Sequence, residues 1–167
     1  MTVKLISAQV SGRGIVENLF RYYLYDMAVF MGWRVNKNGE YDVNLSLLDE
    51  YWSEPDNHPY LIQYQGEIAG FSLLRRYPDE ESNYDIGQFF VLRKFEGKGV
   101  GREAFKQSVA LYPGPWLTRV LHENKSALGF WLKVIAELTD GDFQHQTEVD
   151  VDLPMHFIRY QSVAAET

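Results

Sequence analysis

The chain has 167 residues, 46% hydrophobic and 23% charged, as is usual for a globular protein, and we expect one domain over residues 1–167. The absence of cysteine excludes disulfides, thiolate nucleophiles and cysteine-ligated zinc. The net charge of −7 argues against nucleic-acid binding, which requires clustered Lys and Arg. The first residues lack a secretory signal, and no apolar run approaches the ~20 residues needed to cross a bilayer. We therefore expect a cytoplasmic protein without membrane contact.

The acidic charge is concentrated in the first half of the chain. Residues 1–85 hold 13 acidic and 7 basic side chains, a balance of −6, whereas residues 86–167 hold 10 and 9, a balance of −1. In the second half, basic residues surround one glycine-rich segment: Arg93, Lys94, Lys98, Arg102 and Lys106. This distribution suits an anionic ligand at that segment and a cationic partner elsewhere, although a solvated acidic surface explains the rest equally well.

Hydrophobic periodicity and turn residues predict the element order β-α-α-β-β-β-α-β-α-β-β. The elements before the glycine-rich segment are a strand over 3–10, a helix from about Ile15 to Phe30 that ends at Gly32, a short helix over Leu45–Trp52, and strands over Tyr60–Gln65, Ile68–Arg75 and Tyr84–Leu92. The elements after it are a helix marked by Val100, Ala104, Phe105 and Val109, a strand over Trp116–Leu121, a helix capped by Asn124, and strands near Phe143–Val149 and Met155–Gln161. This order predicts a mixed α/β sheet with helices on its faces.

A loop with three alternating glycines, Gly97, Gly99 and Gly101, connects a strand to a helix. Glycine leaves backbone N–H groups unscreened, and the following helix adds unsatisfied donors and the positive end of its dipole, which predicts a seat for a pyrophosphate. A Walker loop is excluded because Lys98 is followed by Gly99, and a dinucleotide fingerprint is excluded because Arg102 stands where its third glycine belongs. A flexible turn without a ligand is the remaining alternative.

The segment Val91–Gly101 resembles the acetyl-CoA loop of the GNAT superfamily of N-acetyltransferases, written Arg/Gln-x-x-Gly-x-Gly/Ala. A second segment, Asn124–Trp131, is similar to the superfamily's Asn-x-x-Ala-x-x-Phe-Tyr motif, and the element order matches over nearly the whole chain. The resemblance implies a GNAT-like, mostly antiparallel central sheet with helices on both faces. It also implies an enzyme that uses acetyl-CoA as co-substrate.

Carried over position by position, the resemblance assigns coenzyme contacts to two groups of residues. Backbone amides would hold the pyrophosphate, the strand edge would pair with the pantetheine arm, and Asn124 would contact the pantetheine or its thiol end. Arg93, Lys98 and Arg102 are candidates for the remaining phosphate charge. The coenzyme-binding residues implied in this way are Val91, Arg93, Gly97, Lys98, Gly99, Val100, Gly101, Arg102, Asn124 and Trp131.

Two positions depart from the family pattern. Glu96 occupies the usual Arg/Gln place, where it either weakens coenzyme binding or turns outward to pair with Lys98 or Arg102. Trp131 stands where many family members have a tyrosine that protonates the leaving thiolate. An indole N–H donates a hydrogen bond but cannot act as that acid, so a general acid must come from elsewhere or from water.

The candidate catalytic residues are Asp85 and His122. Asp85 matches a frequent family carboxylate base, with a solvated strand-start residue as the alternative, and His122 follows a buried strand and precedes Asn124. His58, His145 and His156 show no metal-ligand spacing, so no metal is expected.

The resulting hypothesis is an acetyl-CoA-dependent N-acetyltransferase that acts by direct transfer on a small-molecule or peptide amine. Two-fold dimers are usual in the superfamily, so a homodimer is one open alternative for the oligomeric state. The acidic, aromatic first half is a hint that the acceptor is cationic. The alternative function is that of a catalytically weak or inactive CoA-binding module.

Overall fold

The computed structural model describes residues 2–166, which form one seven-stranded sheet. The strands are β1 (Val3–Ser7), β2 (His58–Tyr64), β3 (Glu67–Tyr77), β4 (Glu80–Val91), β5 (Gly114–Leu121), β6 (Phe143–Asp150) and β7 (Leu153–Ser162). Their order in the sheet is β1-β2-β3-β4-β5-β7-β6. Only the β4–β5 pair is parallel within the described residues, so the predicted mixed, mostly antiparallel sheet is confirmed.

The α-helices of the described residues are α1 (Arg13–Met31), α2 (Glu50–Ser53), α3 (Val100–Leu111) and α4 (Lys125–Thr139). One face of the sheet packs against α1 and α2 through Phe71, Leu73 and Phe90. The opposite face packs against α3 and α4, with Phe105 and Trp131 in its core. The predicted element order and the placement of helices on both faces are therefore confirmed.

Several predicted boundaries differ from the structure. The predicted helix over Leu45–Trp52 divides into a 3-10 turn at Leu45–Leu48 and the four-residue α2. Asn44 caps the turn, since its side chain accepts a hydrogen bond from the Ser46 N–H at 2.9 Å. The first strand ends at Ser7 instead of residue 10, because Val10–Gly12 already form a 3-10 turn that leads into α1.

The feature of the sheet that positions the site is the divergence of its two parallel strands. β4 and β5 pair only at Tyr84–Trp116 and Asp85–Leu117 within the described residues, although both strands continue beyond these pairs. We call the resulting gap, between residues 86–91 of β4 and 118–121 of β5, the β4–β5 opening. β4 has a bulge at the start of the opening, and Gly87 in this bulge has no partner residue in β3.

None of the helices in residues 2–166 is long and apolar enough to cross a lipid bilayer.

The close contact between β3 and β4 requires glycine at position 70. A Cβ built on Gly70 lies 1.9 Å from the carbonyl oxygen of Phe90, so a side chain there would force two backbones apart. We expect Gly70→Ala to lower the free energy of unfolding by about 1–3 kcal/mol, measured by urea denaturation. The control is Gly129→Ala in α4, where nothing lies within 4 Å and the helix should gain up to about 1 kcal/mol. Equal stability of the two variants would contradict this explanation.

Candidate active site

The β4–β5 opening exposes a strand edge inside the molecule. On one side, β4 stays paired with β3 as far as Val91. On the other side, the ladder to β5 stops at Asp85, so the backbone groups of residues 86–91 that point toward β5 have no strand partner among residues 2–166. Such an edge pairs readily with an added extended chain that carries amide groups.

The glycine loop joins this edge to α3 with backbone geometry that favours glycine. Gly97 and Gly99 have φ values of +73° and +77°, and no atom lies within 4 Å of a Cβ built on Gly97. Gly101 lies in the first turn of α3, where a Cβ would approach the Phe130 ring to 3.3 Å. The N-cap residue of α3 is Gly99, and no side chain of the described residues caps the helix. The first-turn N–H groups therefore remain available to an anion.

Three cations around the loop form ion pairs with carboxylates of other elements. Arg93 pairs with Asp26 of α1, Lys94 with Glu67 of β3, and Arg102 with Glu137 of α4, each at 2.6 Å. Glu96 and Lys98 are exposed, and neither forms an ion pair within the described residues. The predicted alternative in which Glu96 pairs with Lys98 or Arg102 is therefore wrong in this structure. Arg102 forms its ion pair with Glu137 instead.

Asp85 lies at the closed end of the opening, where its side chain is 0% exposed. Its Oδ2 accepts hydrogen bonds from Nε of Arg75 at 3.1 Å and from Nη2 of Arg119 at 2.9 Å. Arg75 also donates to Glu50 of α2 at 2.8 Å, and Arg119 also donates to Asp150 of β6. We call these five residues the Asp85 network; it crosses the sheet from α2 to β6.

Charge balance within the Asp85 network keeps its arginines ionised. Burial alone would lower the pKa of Arg119, but the carboxylates of Asp85 and Asp150 outweigh it, so the pKa is raised. Burial raises the pKa of Tyr23 in α1 to about 12, although the positive charge of Arg119 opposes this rise. Arg75 binds Glu50 of α2, so the network lies on the face of the sheet that packs against α1 and α2, opposite α3.

The structure corrects the alternative offered for Asp85, because its side chain is fully buried and not solvated. Its role as a catalytic base stays a prediction. Its carboxylate compensates two buried guanidinium groups, and this arrangement favours a role in holding the strands.

Asn124 and Trp131 lie on the α3 and α4 side of the opening. Asn124 caps α4, as predicted, by accepting a hydrogen bond from the Ala127 N–H at 3.2 Å. Trp131 is 9% exposed and packs edge-to-face on Phe89 of β4, with ring centroids 5.1 Å apart. The Trp131 indole therefore lies against the diverging part of β4, and its contact with the coenzyme stays a prediction.

His122 is exposed at the end of β5 and belongs to a group of three imidazoles. Its ring stacks on that of His156 at 5.1 Å, and His156 Nδ1 lies 2.9 Å from Nε2 of His145. Burial, and then the neighbouring imidazoles, lower the pKa of His156. The described residues include no group of three or more side chains arranged to hold a metal ion. A catalytic role for His122 stays a prediction.

A pocket of about 490 Å³ lies between α1, the segment after it and the start of the glycine loop. Its aromatic side chains are Tyr25, Trp33 and Tyr41, and its charged side chains are Asp26 and Arg93. We call it the aromatic pocket. The sequence hinted at a cationic acceptor from the acidic, aromatic first half of the chain but gave no sign that Arg93 lies beside these aromatic residues.

Comparison with known proteins agrees with this geometry. The model of the Acetyltransferase (GNAT) family matches residues 28–135, more than half of the chain. The chain belongs to the GNAT acetyltransferase family. No curated protein sequence matches it.

Solved structures share the GNAT fold at low sequence identity. An acetyltransferase from Thermus thermophilus is 14% identical with a TM-score of 0.66, and the match covers 96% of this chain and 97% of that one. An aminoglycoside acetyltransferase in complex with coenzyme A is 15% identical with a TM-score of 0.67, covering 96% and 95%. A spermidine N-acetyltransferase from Vibrio cholerae, in complex with CoA and spermine, is 14% identical with a TM-score of 0.63, covering 96% and 95%.

Sequence reasoning missed three residues of this GNAT site. Arg75 pairs directly with Asp85 between the consecutive strands β3 and β4, so the register of that pair is the signal that could have linked them. Arg119 comes from β5, and nothing in the linear pattern links it to Asp85. Gly87 was also missed, although a glycine inside a strand often marks a bulge. A Cβ on Gly87 would lie 2.0 Å from the Tyr51 hydroxyl, so only glycine fits between the bulge and α2.

Removing the charge of Asp85 should destabilise the protein far more than removing an exposed charge. We expect Asp85→Asn to lower the free energy of unfolding by about 3–5 kcal/mol, because two buried guanidinium groups lose their shared carboxylate. Glu67→Gln, which breaks the exposed pair with Lys94, should cost less than about 1 kcal/mol. Both values come from urea denaturation followed by circular dichroism. A cost for Asp85→Asn as small as that for Glu67→Gln would contradict this role.

Proposed function

We propose that this GNAT protein transfers an acetyl group from acetyl-CoA to a primary amine by direct attack. Acetyl-CoA supplies an acetyl group activated as a thioester. The amine nitrogen attacks the carbonyl carbon, the carbon–sulfur bond breaks, and the proton lost by the amine balances the charge of the CoA thiolate. No covalent enzyme intermediate is required, in keeping with a chain that has no cysteine.

The observation that carries the proposal is the continuity between the strand edge and the glycine loop. The edge of residues 86–91, which has no strand partner toward β5 among residues 2–166, leads directly to a loop in which Gly97 and Gly99 have positive φ. The loop opens α3, whose N-terminus is capped by no side chain of those residues. An extended amide-bearing arm that ends in a diphosphate has the shape and hydrogen-bonding groups that these elements accept. The residues therefore fit the co-substrate.

In this proposal, separate groups of the chain bind the diphosphate, polarise the thioester and exclude water. Backbone N–H groups from Gly97 to Arg102 hold the diphosphate, and Lys98 contributes charge without having to leave an ion-pair partner within the described residues. A backbone N–H of the β4 edge near Val91 donates to the thioester oxygen, where charge develops. Trp131 packs beside Phe89 and excludes water from the thiol end.

In this proposal, water deprotonates the acceptor amine. A lysine-like amine with a pKa of ~10.4 is neutral at pH 7 only at a cost of about 4–5 kcal/mol. The carboxylate of Asp85 is fully buried and already bound by two guanidinium groups, and the Trp131 indole cannot supply a proton to the thiolate. Water in the opening therefore takes the proton of the amine and protonates the thiolate.

A cationic acceptor is supported by the charge of the chain and by the aromatic pocket. Residues 1–85, which supply α1 and the pocket's aromatic rings, carry a balance of −6. Among the structural neighbours, the spermidine N-acetyltransferase was crystallised with spermine and the aminoglycoside acetyltransferase with kanamycin. This proposal extends the acetylation of such amines to the present chain.

A substitution in the glycine loop should weaken coenzyme binding selectively. We expect Gly99→Ala to reduce the affinity for acetyl-CoA at least tenfold, measured by isothermal titration calorimetry, because a methyl group at φ +77° displaces the N–H groups of the loop. Gly66→Ala, at φ +83° in the β2–β3 turn, imposes the same backbone strain away from the loop and should bind acetyl-CoA normally. Equal affinities of the two variants would exclude the loop as the coenzyme site.

Turnover distinguishes an enzyme from a CoA-binding module, the alternative favoured by Trp131 in the tyrosine place. Spermine, kanamycin and hexylamine are offered with acetyl-CoA, and CoA release is followed with a thiol reagent to which the cysteine-free chain is silent. We expect at least one amine to accelerate release, with a rate that rises with pH as the neutral amine fraction grows. Binding of acetyl-CoA without release for any of these amines would establish the binding module instead.

A further inference from the structure

The ion pair between Arg93 and Asp26 connects the glycine loop to the aromatic pocket. Arg93 begins the turn after β4, four residues before Gly97, and its guanidinium lies 2.6 Å from the Asp26 carboxylate on α1. Both residues line the aromatic pocket. The Arg93 side chain, which is predicted to contact the coenzyme, therefore forms an ion pair with a carboxylate that lines the neighbouring aromatic pocket.

Without Arg93, the aromatic pocket has the chemistry of a cation site. Three aromatic side chains, Tyr25, Trp33 and Tyr41, line it, and the faces of aromatic rings attract ammonium groups. Asp26 adds one full negative charge at the wall, and its side chain is still 29% exposed beside the arginine. With Arg93 in place, this charge is neutralised and the pocket already holds a cation.

The Arg93–Asp26 pair is well placed to be exchanged. The Arg93 side chain is 71% exposed, and exposed ion pairs are weak because water screens them. Phosphate groups bind arginine through two parallel hydrogen bonds, and a diphosphate offers two negative charges where a carboxylate offers one. A diphosphate arriving at the glycine loop therefore competes effectively for this side chain.

The other two ion pairs around the loop do not have this property. Glu67 and Glu137, the partners of Lys94 and Arg102, do not line the aromatic pocket. Release of either carboxylate would change the surface charge without preparing a site for a ligand. Lys94 thus provides a matched comparison, because it is the next residue, similarly exposed and similarly paired.

We propose that the aromatic pocket binds a cationic group of the acceptor amine, and that coenzyme binding opens this site by drawing Arg93 away from Asp26. The inference rests on the proposed function, since it requires a coenzyme phosphate at the glycine loop. It makes acceptor recognition depend on the co-substrate, so that the amine binds well only when the coenzyme is present. Asp26 and the aromatic rings then select acceptors that carry a second positive charge.

The test uses CoA, which lacks the acetyl group and so permits no turnover, and two amines of equal chain length. 1,6-Diaminohexane carries a second ammonium group that hexylamine lacks. Their affinities are measured by calorimetry on the full chain with and without saturating CoA. For the wild type, we expect CoA to strengthen diamine binding about tenfold or more, within the usual range for coupling between two sites, and to affect hexylamine less than threefold.

Two variants separate the roles of the ion-pair partners. In Arg93→Ala, the diamine should bind without CoA as tightly as it binds to the CoA-saturated wild type, and CoA should change its affinity less than twofold. In Asp26→Asn, the diamine should bind no better than hexylamine, and CoA should bind more tightly than it does to the wild type, by up to the coupling factor, because Arg93 no longer has to leave a carboxylate. Lys94→Ala is the control and should keep the full tenfold coupling. All four side chains concerned, including Glu67, lie at exposed or partly exposed positions, so the variants should fold.

The outcomes distinguish this inference from the proposed function. If CoA gives no binding heat with the wild type, the proposed function fails and this inference with it. If CoA binds but the two amines bind alike, or if Arg93→Ala keeps the coupling, only the inference is overturned. Equal loss of coupling in Arg93→Ala and Lys94→Ala would also overturn it, because general charge would then explain the effect.

Discussion

The shared carboxylate of Asp85 is the interaction on which the geometry of the site depends. β4 and β5 are joined by only two residue pairs within the described residues, and the β4–β5 opening begins directly after them. Asp85 adds a side-chain connection at this point, since it binds Arg75 of β3 and Arg119 of β5 together. Two buried guanidinium groups on one carboxylate resist separation because each would lose its most buried carboxylate partner. The width of the opening is therefore fixed where the strands diverge.

Close packing beyond this point fixes the position of the glycine loop relative to β4. Gly70 allows the backbones of β3 and β4 to touch near Phe90, and Gly101 allows the first turn of α3 to approach Phe130 of α4. A hydrogen bond of 2.9 Å between Ser72 and Ser108 joins β3 to α3 inside the core. The N-terminus of α3 is thus held at the end of the free strand edge, where the proposed diphosphate site requires it.

The sequence predicted the features that depend on local pattern. Alternating glycines, helical periodicity and the Asn124 cap each act within a few residues, and the element order, both helical faces and the cap are as expected. The Asp85 network and the Arg93–Asp26 pair join residues 10 to 67 positions apart, so no periodicity reports them. The short helix after residue 44 was also mispredicted, because the Asn44 side chain stabilises a 3-10 turn that competes with an α-helical start.

The ion pairs around the loop explain how a protein of net charge −7 can present a site for a polyanion. Arg93, Lys94 and Arg102 are neutralised by Asp26, Glu67 and Glu137, so the surface is balanced before any ligand binds. A bound diphosphate replaces such partners, and every cation it takes leaves a carboxylate uncompensated. Glu67 and Glu137 do not line the aromatic pocket, whereas Asp26 lines it together with three aromatic side chains. Binding of the anionic coenzyme thereby leaves a negative charge that attracts a cation. The acetyl donor is an anion and the amine acceptor is a cation, so the two co-substrates match these two sites.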